Sequence, residues 1–304
     1  MRTWKTVVGS LLAVLCVAAV AGCGSSSSSS STGGGSSSST PTPTAADPAV
    51  AKLVPAAIKS KGTLTVASDA SYAPNEFFAS DGKTVIGMDV DLIKALGGLM
   101  GLKVNVGNVT FDSIIPGLAS GKYDLGISSF TDNKLREKTV DFVDYFSAGE
   151  SFYTKASGGT ALNSIADLCG HTVAVEKGTT EGTDASAQGA KCKKAGKPGV
   201  TVLVFPDQNG ANLAVNSGRA QLGFADSPVA AYAVKKTNGQ FKVVGQPFAT
   251  APYGIPIPKN KGLTKPILAA LDKLMASGKY KAILSQWGVQ GGAISKPAIN
   301  GATS

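Results

Sequence analysis

Two segments of the chain repeat the pattern Ser-Gly-(Lys/Arg)-X-X-Leu-Gly, at residues 120–126 and 217–223. In each copy a Ser-Gly turn leads into a short apolar run, which is typical of a buried parallel strand that follows a helix. In open α/β sheets of parallel strands, ligands bind beyond the carboxyl ends of the strands. The repeat therefore predicts an α/β fold in which the residues after the two copies face a ligand.

The residues that follow the two copies differ in charge. Ser128, Ser129 and Thr131 follow the first copy, and Arg136 comes shortly after them. Hydroxyls and free backbone N–H groups that are backed by a guanidinium group suit a carboxylate. The second copy ends in Asp226, at the position that corresponds to Ser129. A zwitterion between the two copies would therefore meet donors at its carboxylate and an acid at its ammonium group.

Both charged residues also have a purely structural alternative. Arg136 could form a surface salt bridge with Glu137 or Asp141. Asp226 could cap the helix that is predicted to begin at Ser227. The hydroxyls upstream of Arg136 and the internal repeat favour the binding interpretation.

The composition allows a large folded core and does not indicate a nucleic-acid partner. Hydrophobic residues make up 43% of the 304 residues, and the formal net charge is +9. The lysines are scattered, with doublets at 193–194 and 235–236, whereas a nucleic-acid-binding surface clusters basic residues beside aromatic ones. We therefore expect a solvated basic surface and no nucleic-acid partner.

Residues 1–22 have the three parts of a secretory leader, namely basic residues, an apolar run and small residues at the end. The apolar run of about fifteen residues is shorter than the roughly 20 that a membrane-spanning helix needs. The ending Val-Ala-Gly-Cys resembles a bacterial lipobox. We therefore expect Cys23 to be lipidated and to anchor the chain to the cell membrane, on its extracytoplasmic side. Cleavage by an ordinary signal peptidase near Ala21 is the alternative. Residues 23–47 are mostly Ser, Gly, Thr and Pro, which predicts a disordered tether.

Cys169 and Cys192 are the two cysteines beyond the leader and Cys23. An even pair in an exported chain predicts a disulfide, and two free buried thiols are the alternative. His171 is the only histidine of the chain and has no further ligands beside Cys169. We therefore expect no metal site and no cofactor.

Alternating strand and helix patterns predict two α/β lobes, the first of which is interrupted by the second. We expect the first lobe to comprise residues 48–149 and 253–290, and the second lobe residues 150–252. Two strands, one at each boundary between the first and the second lobe, would cross between the lobes and form a hinge. Residues 291–304 contain Gly, Ser and Pro and are predicted to be a flexible tail.

The run Ser-Gly-Lys-Tyr-Asp at 120–124, the hydroxyl cluster, Arg136 and the later Val-Asp-Phe at 140–142 together resemble the family-3 extracellular solute-binding proteins of ABC importers. The resemblance runs from about Gly62 to about Val289. It implies a type II periplasmic-binding-protein-like fold with two lobes and two cross-over hinge strands. It also implies a monomeric, extracytoplasmic protein without enzymatic activity, which captures an amino acid by lobe closure for an ABC permease.

The resemblance further implies a ligand cage of nine residues. Two acids at its side-chain end would suit a polar amino acid with a cationic side chain, such as arginine, lysine or ornithine. The expected contacts are Arg136, Ser129, Thr131 and Thr180 at the α-carboxylate, Asp226 at the α-ammonium group, Tyr72 and Phe111 around the aliphatic part, and Asp69 and Glu181 at the side-chain end.

Two other functions use the same fold, namely a dehydratase-like enzyme and a ligand-sensing receptor. Glu181 or Asp69 could serve as the acid or base of an enzyme, yet the sequence has no serine–histidine set, metal cluster or phosphate loop. The residues after Val289 do not resemble a catalytic or signalling domain. A binding protein is therefore favoured over both alternatives.

Overall fold

The computed structural model describes residues 44–303, so the predicted leader at 1–22, Cys23 and most of the predicted tether lie outside the described residues. The helices are α1 (Pro48–Leu53), α2 (Ala56–Lys61), α3 (Met88–Leu99), α4 (Phe111–Ala119), α5 (Thr180–Lys194), α6 (Gln208–Ser217), α7 (Ser227–Lys236), α8 (Thr264–Ala276) and α9 (Lys279–Trp287). The strands are β1 (Thr63–Ser68), β2 (Ser71–Tyr72), β3 (Glu76–Phe78), β4 (Val85–Ile86), β5 (Lys103–Asn108), β6 (Leu125–Gly126), β7 (Val140–Lys155), β8 (Thr172–Glu176), β9 (Thr201–Phe205), β10 (Leu222–Asp226) and β11 (Phe241–Pro258).

The first lobe is built on a parallel sheet with the strand order β5-β1-β6. Its core is completed by α3, whose residues Met88, Leu92 and Leu96 are fully buried, and by α8 and α9. Burying a side chain of this size stabilises the fold by about 1.5–3 kcal/mol. Because β1 and β6 are parallel neighbours, their carboxyl ends bring Asp69 and Ser129 to the same edge of the sheet.

The second lobe is built on a sheet with the strand order β11-β7-β10-β8-β9. The three strands β10, β8 and β9 are parallel, and helices α5 and α6 pack against them. The carboxyl end of β8 carries Glu176, and that of β10 carries Asp226. Both acids therefore lie at one edge of this sheet.

Two long antiparallel strands connect the lobes. β7 has 16 residues and β11 has 18, and their pairing runs from Lys155–Phe241 in the second lobe to Val140–Pro258 in the first. The register is interrupted at three places between Val244 and Gly254, where the chain passes from one lobe to the other. This arrangement agrees with the predicted two-lobed α/β fold and its two cross-over strands.

In the structure Cys169 and Cys192 are joined in a disulfide, with their Cα atoms 5.6 Å apart. The bond ties the turn before β8 to the last part of α5 in the second lobe. It closes a loop with a sequence separation of 23 residues. The cross-link therefore lies away from the hinge and acts within one lobe.

The end of the described chain differs from the predicted flexible tail at 291–304. Ile299 forms an antiparallel bridge with Val143 of β7. Beside it, the Asn300 N–H donates to the Phe142 carbonyl oxygen at 3.1 Å, and the Phe142 N–H donates to the Asn300 side-chain oxygen at 2.7 Å. Backbone pairing of this kind is not a local property, so the Gly- and Ser-containing composition did not reveal it.

Two buried aspartates hold this terminal segment on β7. Asp144 accepts a hydrogen bond from the Gly301 N–H at 3.1 Å, and Asp132 accepts one from the Ala302 N–H at 3.2 Å. Burial, followed by the neighbouring charge of Asp132, raises the pKa of Asp144 to about 7. The two carboxyl groups therefore share a proton below neutral pH, and both become charged above it.

Removing the disulfide should lower stability without affecting the lobe-to-lobe contacts. For the variant Cys169→Ala/Cys192→Ala we expect the free energy of unfolding to fall by about 3 kcal/mol. The reason is that the unfolded chain gains conformational entropy when a loop of this length is no longer closed. Urea denaturation followed by circular dichroism measures it, with chemically reduced wild type as the comparison. An unfolding midpoint that is the same with and without reductant would contradict this expectation.

The pair of Asp132 and Asp144 should make stability depend on pH. The pKa of Asp144 is about 7 in the folded chain against an ordinary 3.8, so the folded state binds the extra proton between these values and loses stability as pH rises through them. In the variant Asp144→Asn the amide that replaces this carboxyl group does not titrate. We therefore expect the melting temperature of Asp144→Asn, relative to wild type, to rise from pH 5 to pH 8.

Asp272→Asn provides the matched control, because Asp272 is exposed on α8. Its melting temperature should follow that of wild type at every pH in circular-dichroism melts. If Asp144→Asn also follows wild type throughout, the two aspartates do not share a proton.

Candidate functional site

A narrow cavity of about 10 Å³ lies between the two lobes. Eight of the nine residues predicted from the sequence line it, and Asp69 does not. The cavity is reached from the carboxyl ends of strands in both lobes, as the repeat predicts. The eight predicted residues that line it are Tyr72, Phe111, Ser129, Thr131, Arg136, Thr180, Glu181 and Asp226.

Arg136 begins a short 3₁₀ helix, and its N–H donates to the side chain of Asn133 at 2.9 Å. Its guanidinium group donates to the Thr131 carbonyl oxygen at 2.7 Å and, across the cleft, to the Gly178 carbonyl oxygen at 3.0 Å. The group also lies over the ring of Phe111, 5.4 Å from its centroid. These contacts hold the side chain extended towards the cavity.

The surface salt bridge considered for Arg136 does not form. Glu137 pairs with Lys134 at 3.0 Å, and Asp141 pairs with Lys259 at 3.1 Å. A guanidinium group has five N–H donors, and two carbonyl contacts leave donors available for a ligand. The geometry thus favours the binding interpretation of Arg136.

Ser129 is held in a left-handed conformation, with φ of 49°. Its N–H, which was expected to meet a carboxylate, already donates to Asp89 at 2.9 Å. Its hydroxyl accepts a hydrogen bond from the Asn75 side chain at 2.9 Å and lies 3.4 Å from Glu76. Ser129 therefore shapes the loop at the cavity wall, and its N–H group has a structural partner.

Glu76 and Asp89 form a buried acidic pair behind this loop. Neither side chain is exposed to solvent. Burial, followed by the neighbouring charge, raises the pKa of Glu76 well above its ordinary value, and burial raises that of Asp89 to about 6. Asp89 also accepts a hydrogen bond from the Tyr145 hydroxyl at 2.7 Å. Glu76 therefore keeps its proton, and Asp89 carries the negative charge that orders the loop.

Asp226 ends β10 and directly precedes α7, but its side chain makes no capping hydrogen bond. The alternative role of helix cap is therefore not what the geometry shows. Burial, with Glu181 as the next cause, raises the pKa of Asp226 well above its ordinary value. Arg136, which lines the same cavity, opposes this shift.

Glu181 lies in the first turn of α5 and is 3% exposed. The pKa of its carboxyl group is raised by burial and lowered by its own backbone N–H and by Arg136. Asp69 accepts a hydrogen bond from the Phe111 N–H at 2.9 Å, and burial raises the pKa of its carboxyl group. Of the two acids expected at the side-chain end, Glu181 lines the cavity and Asp69 does not.

Aromatic rings form the wall of the first lobe. Tyr72 meets Phe111 edge to face, with the ring centroids 5.7 Å apart. Phe111 stacks in turn on Phe130 at 4.3 Å. This wall offers an apolar surface to the aliphatic part of a ligand.

Two residues near the cavity were not anticipated from the sequence. Gln208 lines it from the start of α6, and its N–H donates across the cleft to the Ser71 hydroxyl at 3.1 Å. Glu176 is buried at the carboxyl end of β8. Both follow strand ends in the second lobe, so the rule that ligands bind beyond such ends was the available signal.

The lobes touch on both sides of the cavity. Lys177 of the second lobe pairs with Asp112 of the first at 2.8 Å, in addition to the contacts of Arg136 and Gln208 described above. The cleft is therefore closed. In residues 44–303 no helix is long and apolar enough to cross a membrane, and no three His, Cys, Asp or Glu side chains are arranged to hold a metal ion.

Residues 64–290 match the family of bacterial extracellular solute-binding proteins, family 3. The chain belongs to this family. It is 35% identical to the arginine-binding protein ArgT of Corynebacterium glutamicum over 254 residues, which cover 83% of each chain. It is 32% identical to the glutamine-binding protein GlnH of Bacillus subtilis, over 66% of this chain and 72% of that protein.

A solved structure of an ancestral arginine-binding protein with bound arginine is 36% identical, with a TM-score of 0.69, and the match covers 75% of this chain and 98% of that one. The likeness confirms the type II periplasmic-binding-protein fold. Both relatives are named as amino-acid-binding proteins, and GlnH is named as that of an ABC transporter, so the family supports a substrate-binding role and not an enzymatic one.

Proposed function

We propose that this solute-binding protein captures an α-amino acid with a cationic side chain in the cavity between its lobes. One observation carries the proposal: Arg136 extends from the first lobe into the same cavity that Asp226 and Glu181 enter from the second. A zwitterion fits this arrangement, because its carboxylate and its ammonium group need opposite charges a few bonds apart. Neither lobe alone offers both.

At the carboxylate end, the free donors of Arg136 would bind the ligand together with the hydroxyl of Thr131. Thr180 adds the first backbone N–H groups of α5, a helix of 15 residues, and such groups favour anions. Charge-assisted hydrogen bonds of this kind contribute about 1.5–3 kcal/mol each. Binding would thus draw the second lobe towards Arg136 by direct contact.

At the ammonium end, Asp226 is the proposed partner, with Glu181 close by. Both carboxyl groups are costly to bury without a counter-charge. An α-ammonium group supplies that charge and accounts for two acids beside a single arginine. Tyr72 and Phe111 would enclose the aliphatic part of the ligand.

A cationic side chain is supported by two buried acids next to Tyr72, a residue that lines the cavity. They are Asp69, which is 4% exposed, and Glu176, which is 1% exposed. The relatives named for arginine are among the most similar in sequence and in structure, whereas another relative is named for glutamine. The acids favour arginine or a similar cation over glutamine.

We further infer that the protein is exported, anchored through a lipidated Cys23 and tethered by residues 23–47, and that it hands its ligand to an ABC permease. The disulfide of Cys169 and Cys192 agrees with an oxidising compartment. The cavity is complete within one chain, which agrees with a monomer. The proposed lobes are residues 48–149 with 253–290 and residues 150–252, and the hinge lies in β7 and β11.

Purified protein should bind cationic amino acids first. In a thermal-shift screen over the common amino acids, we expect arginine, lysine or ornithine to give the largest rise in melting temperature, because a ligand that binds only the folded state stabilises it. Mass spectrometry of the same mixtures should show unchanged ligand. No shift with any amino acid, or conversion to a product, would contradict the proposed function.

Arg136→Ala should weaken binding of the best ligand at least tenfold in isothermal titration calorimetry, because the loss of one charge-assisted contact costs more than the 1.4 kcal/mol that corresponds to a factor of about ten. Arg219→Ala is the matched control, because Arg219 lies over Phe205 in the second lobe and does not line the cavity. Equal affinities of the two variants would remove Arg136 from the site.

A further inference from the structure

The terminal segment 298–302 follows the region that matches the family, which ends at residue 290, and it packs against the first lobe. The Asp144 N–H donates to the Ala298 carbonyl oxygen at 2.9 Å, and the Gly301 N–H donates back to the Asp144 carboxylate at 3.1 Å. Gly301 approaches this carboxylate so closely that a Cβ atom would have no room beside it. The chain end is therefore fitted to β7, and a larger residue at position 301 would displace it.

The same segment reaches the loop that carries the expected carboxylate contacts. The Ala302 N–H donates to Asp132 at 3.2 Å, and Asp132, which is 2% exposed, directly follows Thr131. The Thr131 carbonyl oxygen in turn accepts a hydrogen bond from the Arg136 guanidinium group at 2.7 Å. Two hydrogen bonds and one peptide unit therefore connect the end of the chain to Arg136.

On its other side this loop is bonded to the crossing strand β11. The Asp132 N–H donates to the Pro252 carbonyl oxygen at 2.9 Å, and the Gly254 N–H donates to the Phe130 carbonyl oxygen at 2.9 Å. These bonds fix the backbone of the loop. The Ala302 N–H is the one backbone donor to the Asp132 side chain within the described chain. The loop therefore lies between β11 and the chain end, and each side contributes hydrogen bonds.

We propose that Gly301 and Ala302 position Arg136 for the α-carboxylate of the ligand, with Asp132 and Thr131 as the connecting residues. Without the donor at Ala302 the Asp132 side chain loses a partner, and the loop gains freedom. The guanidinium group then points at the ligand for a smaller fraction of the time, and the apparent affinity falls in proportion to that fraction. The inference rests on the proposed role of Arg136 and adds a positioning element that lies outside the cavity.

Ala302→Pro tests this role, because proline lacks the donating N–H group and leaves the chain length unchanged. In isothermal titration calorimetry we expect the affinities for L-arginine and L-lysine to fall by about three- to tenfold as the loop loses its ordered position. The factor should be the same for both ligands, because they share the α-carboxylate. Gly301→Ala, whose Cβ atom displaces the same segment, should have an effect in the same range.

A double-mutant cycle separates positioning from a general loss of stability. In the Arg136→Ala background, Ala302→Pro should change the affinity by less than about twofold, because the group that it positions is absent. A purely structural effect of the chain end would instead add in full to the effect of Arg136→Ala. The loss in Ala302→Pro alone should also be no larger than the loss in Arg136→Ala.

Two further variants serve as controls within the terminal segment. Ala302→Gly is the conservative variant, because it keeps the N–H group and removes only a methyl group. Lys296→Ala is the matched control, since Lys296 is exposed. Both variants should bind L-arginine and L-lysine within about twofold of wild type, as is usual for substitutions that remove no specific contact.

The outcomes separate the two proposals. If Arg136→Ala weakens binding but Ala302→Pro and Gly301→Ala bind as tightly as wild type, the positioning role is wrong and the proposed function stands. Full additivity in the Arg136→Ala background, or an equal loss in Ala302→Gly, would also overturn the positioning role. If a folded wild type binds neither ligand, or if Arg136→Ala binds as tightly as wild type, the proposed function fails and the positioning role fails with it.

Discussion

Closing the cleft takes acidic side chains out of water, and this cost controls the behaviour of the lobes. Among the described residues that line the cavity, Arg136 is the only basic one, while Asp226 and Glu181 are both acidic. Desolvation of an unpaired carboxylate costs several kcal/mol or forces it to take a proton. The closed form is thus short of positive charge, and a ligand with an extra cation supplies what the protein lacks.

Closure is held by the polar contacts of Arg136, Gln208 and Lys177 across the cleft and by buried apolar side chains of both lobes. A ligand shifts the equilibrium between open and closed forms only by its difference in affinity for the two. The ligand's carboxylate and ammonium groups provide that difference, because they bind to opposite lobes and both are fully bound only in the closed form. The β7 and β11 pair keeps the two halves connected while they move.

Much of the site could be predicted from sequence because it follows local rules. The repeated turn and strand, the hydroxyls and Arg136 are close together in the chain, and strand ends of one sheet meet at one edge. The position of Asp69 outside the cavity could not be predicted, because it depends on a hydrogen bond from Phe111, which is distant in the chain. Glu176 was overlooked because its neighbour Asp69 belongs to the other lobe.

The terminal segment adds a third strand-like segment to the hinge. Ile299 and Asn300 pair with β7, beside the two crossing strands and just inside the first lobe. The family match ends at residue 290, before this segment begins. A gene trimmed to the limits of that match would therefore encode a thinner hinge, with Asp132 and Asp144 left facing each other and without the backbone amides that bind them.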